Sequence, residues 1–304
     1  TSYAAHVLGY TGPITPDTWN RYKDLGYPMN ATVGIDGVEL AFEEYLHGVS
    51  GTRRIEKDAN SNVVSQEWSQ LPEPGDNVIL TLDMALQATT EDLLAQYAAR
   101  QEDPTKGMAA AVVDMSGGVL ALASYPTFDL PSFRENFNEL QNDESKPLLN
   151  RATKGVYAPG STFKMLTAIA ALDTGTITTR ERIPCTGTYT YYPPPDQPNC
   201  WNRSGHGLDN VTQAITDSCN VFFYDVGRRT GIAKLREYAQ KFGLGEYTGV
   251  ELAEEKGQVS GPETSAFFDQ PWYEGLTMFA AIGQDNNMFT PLQLANYVAP
   301  LVNG

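Results

Sequence analysis

Tyr157-Ala158-Pro159-Gly160-Ser161-Thr162-Phe163-Lys164 runs straight into Met165-Leu166-Thr167-Ala168-Ile169-Ala170-Ala171-Leu172-Asp173. A Pro-Gly turn followed by an apolar-rich run predicts a helix from residue 161 to about 173, closed by Gly175. Residues three apart share a helix face, so Ser161 and Lys164 are neighbours in its first turn, where backbone N–H groups are free. An unaided serine hydroxyl is a poor nucleophile at neutral pH and needs a base beside it. Lysine serves as that base only when its pKa falls, and both burial and the positive end of the helix dipole push it down. The pattern points to acyl transfer through an activated serine. Average composition supplies a Ser-x-x-Lys by chance about once in a chain this long, so the surroundings decide its weight.

Working outward, residues 107 to 126 carry the clearest sheet signal: the run Met108 to Asp114, the turn Ser116-Gly117-Gly118 and the run Val119 to Tyr125 predict a β-hairpin. Before it, Asn77-Val78-Ile79-Leu80-Thr81-Leu82 reads as a short strand, and Asp83 caps a helix reaching Arg100. Leu71-Pro72-Glu73-Pro74-Gly75 reads as a linker that sets off residues 1–72, a small irregular α+β region rich in Gly, Asn and Thr. After the serine, Asn210 or Thr212 starts a helix ending near Asp217, and another begins around Val221 to Val226. Ile232 to Phe242 forms a helix ending at Gly243, and Thr290-Pro291 opens one that runs to Gly304. The fold class is α+β, a hairpin sheet followed by a mostly helical half.

The 304 residues suffice for one main domain with a smaller companion, and 41% hydrophobic residues provide a substantial core. A net charge of −16 argues against a nucleic-acid partner, whose phosphates require a basic face. No run of about eighteen apolar residues occurs, and the start Thr1-Ser2-Tyr3 carries no signal peptide. The chain reads as soluble, or as the soluble part of an anchored protein. Cys185 and Cys200 bracket a loop with Tyr191-Tyr192-Pro193-Pro194-Pro195. A disulfide there would contribute about 3 kcal/mol in the loop-entropy model, and two free thiols are the alternative. A zinc site on Cys185, Cys200 and His206 lacks a fourth ligand, so the reading assigns no metal and no cofactor. Cys219 reads as a small packed hydrophobe, His6, His47 and His206 as structural or surface residues, and Phe222-Phe223 and Trp272-Tyr273 as core.

The second motif is Ser218-Cys219-Asn220, between two helices. A Ser-x-Asn there offers a hydroxyl able to relay a proton and an amide able to hold a peptide backbone, although both residues are also common helix caps. Ser161-x-x-Lys164 and Ser218-x-Asn220 are two of the three motifs shared by penicillin-binding proteins and class A β-lactamases. The chain resembles a class B penicillin-binding protein of the elongation-type branch. Ala5-His6-Val7-Leu8-Gly9-Tyr10, Tyr45-Leu46-His47-Gly48-Val49-Ser50-Gly51, Leu80-Thr81-Leu82-Asp83, Asn150-Arg151-Ala152-Thr153-Lys154-Gly155, Gly205-His206-Gly207, Tyr247-Thr248-Gly249, Ile282-Gly283-Gln284 and Thr290-Pro291-Leu292-Gln293 carry the resemblance in order.

What the resemblance implies is a peptidoglycan D,D-transpeptidase on the extracytoplasmic face of the bacterial membrane, with 1–72 part of an N-terminal pedestal and 73–304 the transpeptidase domain. Ser161 would attack the penultimate D-alanine carbonyl of a stem peptide with Lys164 as base. Ser218 would shuttle the proton, and Asn220 would hold the donor. An amine of a second stem would take the acyl group, β-lactams would acylate Ser161 and stay, and the pedestal would contact a SEDS-type glycan polymerase. A β-lactamase or D,D-carboxypeptidase, or a non-catalytic β-lactam-sensing scaffold, is the alternative. Two departures stand out. Gly275-Leu276-Thr277 replaces the Gly-Asp-Thr of many relatives, and no Lys-Thr-Gly or Lys-Ser-Gly, the third motif, occurs in the chain. The expectation is therefore a piece of a longer protein, without that cleft wall and inactive as an isolated 304-residue polypeptide.

Overall fold

The computed structural model describes residues 2–103 and 106–303. Contacts divide the chain into two compact units: Thr1–Ala110 with Val119–Asn150 and Val250–Ala253, and Ala111–Gly118 with Arg151–Gly249 and Glu254–Gly304.

In the first unit, Asp83 caps the helix Met84–Ala98 by accepting from the Ala85 and Leu86 N–H groups, as its position before an apolar run predicts. The helix is fixed to the strand Val119–Tyr125 by one side chain. Gln87, fully buried, donates to the Leu122 carbonyl at 2.9 Å and accepts from the Leu122 N–H at 2.8 Å. A buried amide is tolerated here because both its ends are paired. Ala5, Phe128 and Phe133 form a local core with Tyr10 and Leu148 packed on it. The segment Asn77–Leu82 forms no regular strand, contrary to the sequence expectation. Its side chains find little to bury against, Ile79 being 94% exposed, and its links to the next strand are single bonds such as Thr81 Oγ1 to the Val119 carbonyl. The sequence reading also passed over an antiparallel hairpin, Thr52–Lys57 with Val63–Gln70, whose two faces are both largely solvent-exposed. Its strands mix charged and apolar residues without the alternation that marks a half-buried sheet.

The second unit is mainly helical. The predicted turn at Ser116-Gly117-Gly118 is closed by Asp114, whose carboxylate accepts from the Ser116 and Gly118 N–H groups. Asn210 and Gln213 form a reciprocal capping box that starts Val211–Thr216, and Thr290 and Gln293 form another that starts Pro291–Asn303. The helix Lys164–Asp173 lies in the core of this unit, with Leu166, Ala168, Ala170 and Ala171 buried. Asn220–Thr230 packs against it and against Leu276–Ala281. Close approach of the last two requires Gly227, since a Cβ there would lie 2.1 Å from that of Ala281. Thr167 Oγ1 donates to the Ala281 carbonyl at 2.7 Å, so a single buried hydroxyl ties the Lys164 helix to Leu276–Ala281. Phe222 and Phe223 are core as expected, whereas Tyr273 is 59% exposed, because its segment runs along the surface before the helix begins.

Candidate active site

Gly160–Phe163 forms a 3₁₀ turn that leads into the α-helix beginning at Lys164, so Ser161 sits at the helix entrance, as the Pro-Gly turn predicts. The turn is clamped from two sides. Tyr297, fully buried, accepts from the Leu166 N–H at 3.1 Å and donates to the Thr162 carbonyl at 3.0 Å. The Gly160 N–H donates to the Gly283 carbonyl at 2.9 Å. Gly283 has φ +73° and would place a Cβ 2.2 Å from the Gly160 carbonyl oxygen, so only glycine fits.

The second motif comes to the same point. Ser218 links the helices Val211–Thr216 and Asn220–Thr230 with φ +50°, a left-handed conformation that costs a serine about 1–2 kcal/mol. That bend aims its hydroxyl between the other two groups. Ser218 Oγ donates to Ser161 Oγ at 3.0 Å and accepts from Lys164 Nζ at 3.0 Å. Lys164 also donates to the Ser218 carbonyl at 2.7 Å and to Asn220 Oδ1 at 2.6 Å. The four sequence-predicted residues Ser161, Lys164, Ser218 and Asn220 are thus brought together. The path from nucleophile to lysine differs in one respect from the helix-face reading: it runs through Ser218.

Lys164 is 2% exposed, and burial pulls its pKa down from 10.5 to about 8, against the opposing influence of Cys200 and Cys219. A primary amine of that pKa is partly neutral near pH 7 and can accept a proton. Ser161, Asn220, Tyr224, Leu276, Phe279, Ile282, Gln284 and Asp285 line a cleft of about 530 Å³ over these groups. Leu276 lies in its wall and offers no carboxylate. Serine, relay and buried amine in one line, opening on a cleft, equip the site for acylation of Ser161.

A second cluster adjoins this one through Cys219. Cys185, Cys200 and Cys219 are all free and buried, so no disulfide closes the tyrosine-proline loop. Their sulfurs and His206 Nδ1 lie within 4.8 Å of one another, with Nδ1 at 3.5 Å from Cys185 Sγ and 3.6 Å from Cys200 Sγ. The fourth ligand that the sequence reading found missing is Cys219. A tetrahedral zinc ion with ordinary Zn–S and Zn–N bonds has N···S edges of about 3.5 Å, so the set fits such an ion. Burial opposes a thiolate at Cys200, yet the N–H groups of Asn202, Val221 and Asn220 outweigh it and lower its pKa, as a metal ligand needs. Burial instead pushes the Cys219 thiol well up. The signal missed in the sequence was the spread of the donors over 34 positions between Cys185 and Cys219, which no short spacing rule covers.

Comparison with known proteins gives the family. Residues 107–304 match the penicillin binding protein transpeptidase domain and residues 1–80 the penicillin-binding protein dimerisation domain. The peptidoglycan D,D-transpeptidase MrdA of Escherichia coli (strain K12) is 36% identical over 99% of this chain and 48% of its own. MrdA of Acinetobacter baumannii is 33% identical over 98% of this chain and 44% of its own. The chain therefore spans about half the length of the curated relatives it matches. Among solved structures, PBP2 from Helicobacter pylori in complex with MreC superposes with a TM-score of 0.83 at 31% identity, over 98% of this chain and 55% of that one. Pseudomonas aeruginosa PBP2 in complex with WCK 5153 superposes with a TM-score of 0.78 at 30% identity, over 98% of this chain and 62% of that one. With the serine, lysine and Ser-x-Asn groups assembled as the motifs require, the chain belongs to the penicillin-binding protein transpeptidases, on the class B elongation-type branch.

Proposed function

We propose that the protein cross-links peptidoglycan as a serine D,D-transpeptidase, with Ser161 as nucleophile, Lys164 as base, Ser218 as proton relay and Asn220 as a donor-peptide ligand. The observation that carries this reading is the line from Ser161 Oγ through Ser218 Oγ to a buried Lys164 Nζ. Neutral Lys164 takes the Ser161 proton by way of the Ser218 hydroxyl as Oγ attacks the carbonyl of the penultimate D-alanine of a stem peptide. The same relay, run backward, delivers a proton to the departing D-alanine amine. The Ser161 N–H stabilises the developing oxyanion. Asn220, held by its bond to Lys164 and with one amide N–H on the Tyr224 phenol, has the other N–H for a peptide carbonyl. The ester left on Ser161 is then opened by an amine of a neighbouring stem. β-Lactams acylate the same oxygen, because their strained amide presents a carbonyl to the same geometry.

On this reading residues 73–304 belong to the transpeptidase domain, and 1–72 to a pedestal whose partner is a SEDS-type glycan polymerase, with the catalytic face outside the cell membrane. A similar structure that concerns polymerization and crosslinking by a peptidoglycan synthase complex supports a polymerase as partner, and PBP2 from Helicobacter pylori is solved with a different partner, MreC. The test is labelling of the full-length protein by a fluorescent penicillin. A long-lived adduct that Ser161→Ala abolishes is expected. Labelling that persists in Ser161→Ala refutes the nucleophile, and rapid release of hydrolysed penicillin assigns the site to a β-lactamase instead.

A further inference from the structure

Beside the cleft over Ser161 lies a second cavity of about 560 Å³, between the loop carrying Tyr192 to Pro198 and the segment Tyr273 to Phe279. Phe279 lines both cavities, so they meet at one aromatic ring. The walls are built. Asp196 N–H donates to the Pro193 carbonyl at 3.0 Å and Gln197 Nε2 to the Tyr192 carbonyl at 2.8 Å, which fixes the loop as a turn. Its base is held by Tyr191, whose ring lies 3.7 Å from the Arg228 guanidinium carbon. Across the cavity the Tyr273 carbonyl accepts from the Leu276 N–H at 3.0 Å.

The charged side chains that line this path have one sign. Asp196 and Glu274 line the second cavity and Asp285 the cleft itself; among the described residues neither lining includes lysine or arginine, and Arg228 acts on Tyr192 from the base of the loop, less strongly than Glu274. Glu274 acts across the cavity: the Tyr192 phenol is pushed above its ordinary range by burial first and by the Glu274 charge second. Asp285 is held at φ +60°, and its Oδ2 is buried with no hydrogen-bond partner. A carboxylate oxygen that has lost water and gained no donor is costly unless a ligand supplies one. It stands one residue from Gln284 and two from Gly283, which is bonded to the turn of the nucleophile.

We propose that this second cavity is the entry subsite for the acceptor, and that it takes a cationic amine on an aliphatic arm, delivered past Phe279 to the acyl-Ser161 ester. The proposal rests on the transpeptidase reading and names the site of its second substrate. Tyr192, Tyr273 and Phe279 offer aromatic faces to the aliphatic arm and to the ammonium, and Glu274 and Asp196 raise the local concentration of the cation. At the ester the amine must be neutral to attack. The ammonium first sheds one proton to solvent; as the neutral nitrogen bonds the acyl carbon, its second proton passes through the Ser218 relay to Ser161 Oγ, and the Ser161–acyl bond breaks to restore the hydroxyl.

The experiment uses the full-length protein, a stem pentapeptide as donor and a stem tripeptide with a free side-chain amine as acceptor. Cross-linked product is measured against acceptor concentration, with fluorescent-penicillin acylation measured in parallel. For Glu274→Gln with Asp196→Asn the acceptor concentration at half-maximal rate rises about tenfold, from two partly exposed ion pairs of ordinary strength. Raising the salt from 0.05 to about 0.5 M weakens acceptor use by the parent more than by the double variant. An acceptor half-saturation that does not move in the double variant overturns the proposal. So does a rise matched by an equal fall in acylation, which marks a folding defect or a donor role. Failure of the parent to be acylated at Ser161 strikes the transpeptidase reading instead, so the two failures are told apart.

Discussion

The buried position of Lys164 sets a pH profile that can be worked out in advance. With a pKa of about 8, roughly 9% of Lys164 is neutral at pH 7, against about 0.03% for a lysine at 10.5, a gain of about 300-fold in available base. The sign follows from the role. The neutral amine is the active form, so acylation rises with pH and levels off once Lys164 has lost its proton. From pH 7 to pH 9 the neutral fraction climbs about tenfold, and above pH 9 it gains almost nothing. The assay is the second-order rate of fluorescent-penicillin acylation of the full-length protein from pH 6 to 10, with folding followed by circular dichroism at each pH. A rate that keeps climbing tenfold per unit beyond pH 9 refutes the lowered pKa, and a rate independent of pH refutes Lys164 as the base. Lys164→Arg keeps the charge and the three acceptor oxygens but cannot yield a free base. It is expected to lose a hundred- to ten-thousandfold in acylation while still folding.

The remaining predictions concern the groups around that amine. Ser218→Ala removes the relay and leaves Lys164 and Ser161 without the hydroxyl between them. Acylation should fall by about a hundredfold or more in stopped-flow labelling, and a loss under threefold argues that the lysine reaches Ser161 directly. Gly283→Ala forces a Cβ against the Gly160 carbonyl and should slow acylation more than it lowers the melting temperature, because the strain falls on the nucleophile turn. Gln87→Leu leaves both Leu122 backbone groups buried and unpaired and should cost about 2–4 kcal/mol in urea unfolding. The protein purified without chelator should carry about one zinc per chain by atomic emission. Cys219→Ser should lower that content and the melting temperature together, and a metal-free parent of undiminished stability counts against the cluster as a metal site.

The parts of this site that could be read from the sequence are those in which local rules and chemistry coincide. Pro159-Gly160 before an apolar run fixes a helix entrance, with Ser161 in its 3₁₀ turn and Lys164 at the start of the helix. Asn210 with Gln213 and Thr290 with Gln293 announce helix starts, because a capping box is satisfied within four residues. What the spacing could not supply was the connection between serine and lysine. It is completed by Ser218, 57 positions from Ser161, and depends on a left-handed backbone that the residue type gives no reason to expect. The extended reading of Asn77–Leu82 failed for a related cause. β-Branched and apolar residues favour a strand only when a partner and a face to bury exist, and here Ile79 points to water.

The thiol cluster shows the same limit from the other side. Each donor has a local reading that is true: Cys219 is a fully buried residue that caps the helix Asn220–Thr230, accepting from the Phe222 N–H, and Cys185 ends the short strand Ile183–Cys185. Cys200 lies in a loop that returns to within hydrogen-bond range of the first, its N–H on the Gly187 carbonyl. Only the antiparallel pairing of Ile183–Cys185 with Gly207–Asp209 carries His206 back beside Cys185. Cys219 then has two neighbours in the chain, Ser218 and Asn220, that both touch Lys164. Whatever fixes the Cys219 sulfur also fixes the backbone on which the Ser218 hydroxyl and the Asn220 amide stand. A closed four-donor site at that residue would hold the left-handed bend at Ser218 against its own strain, and the strain is what aims the hydroxyl at the nucleophile.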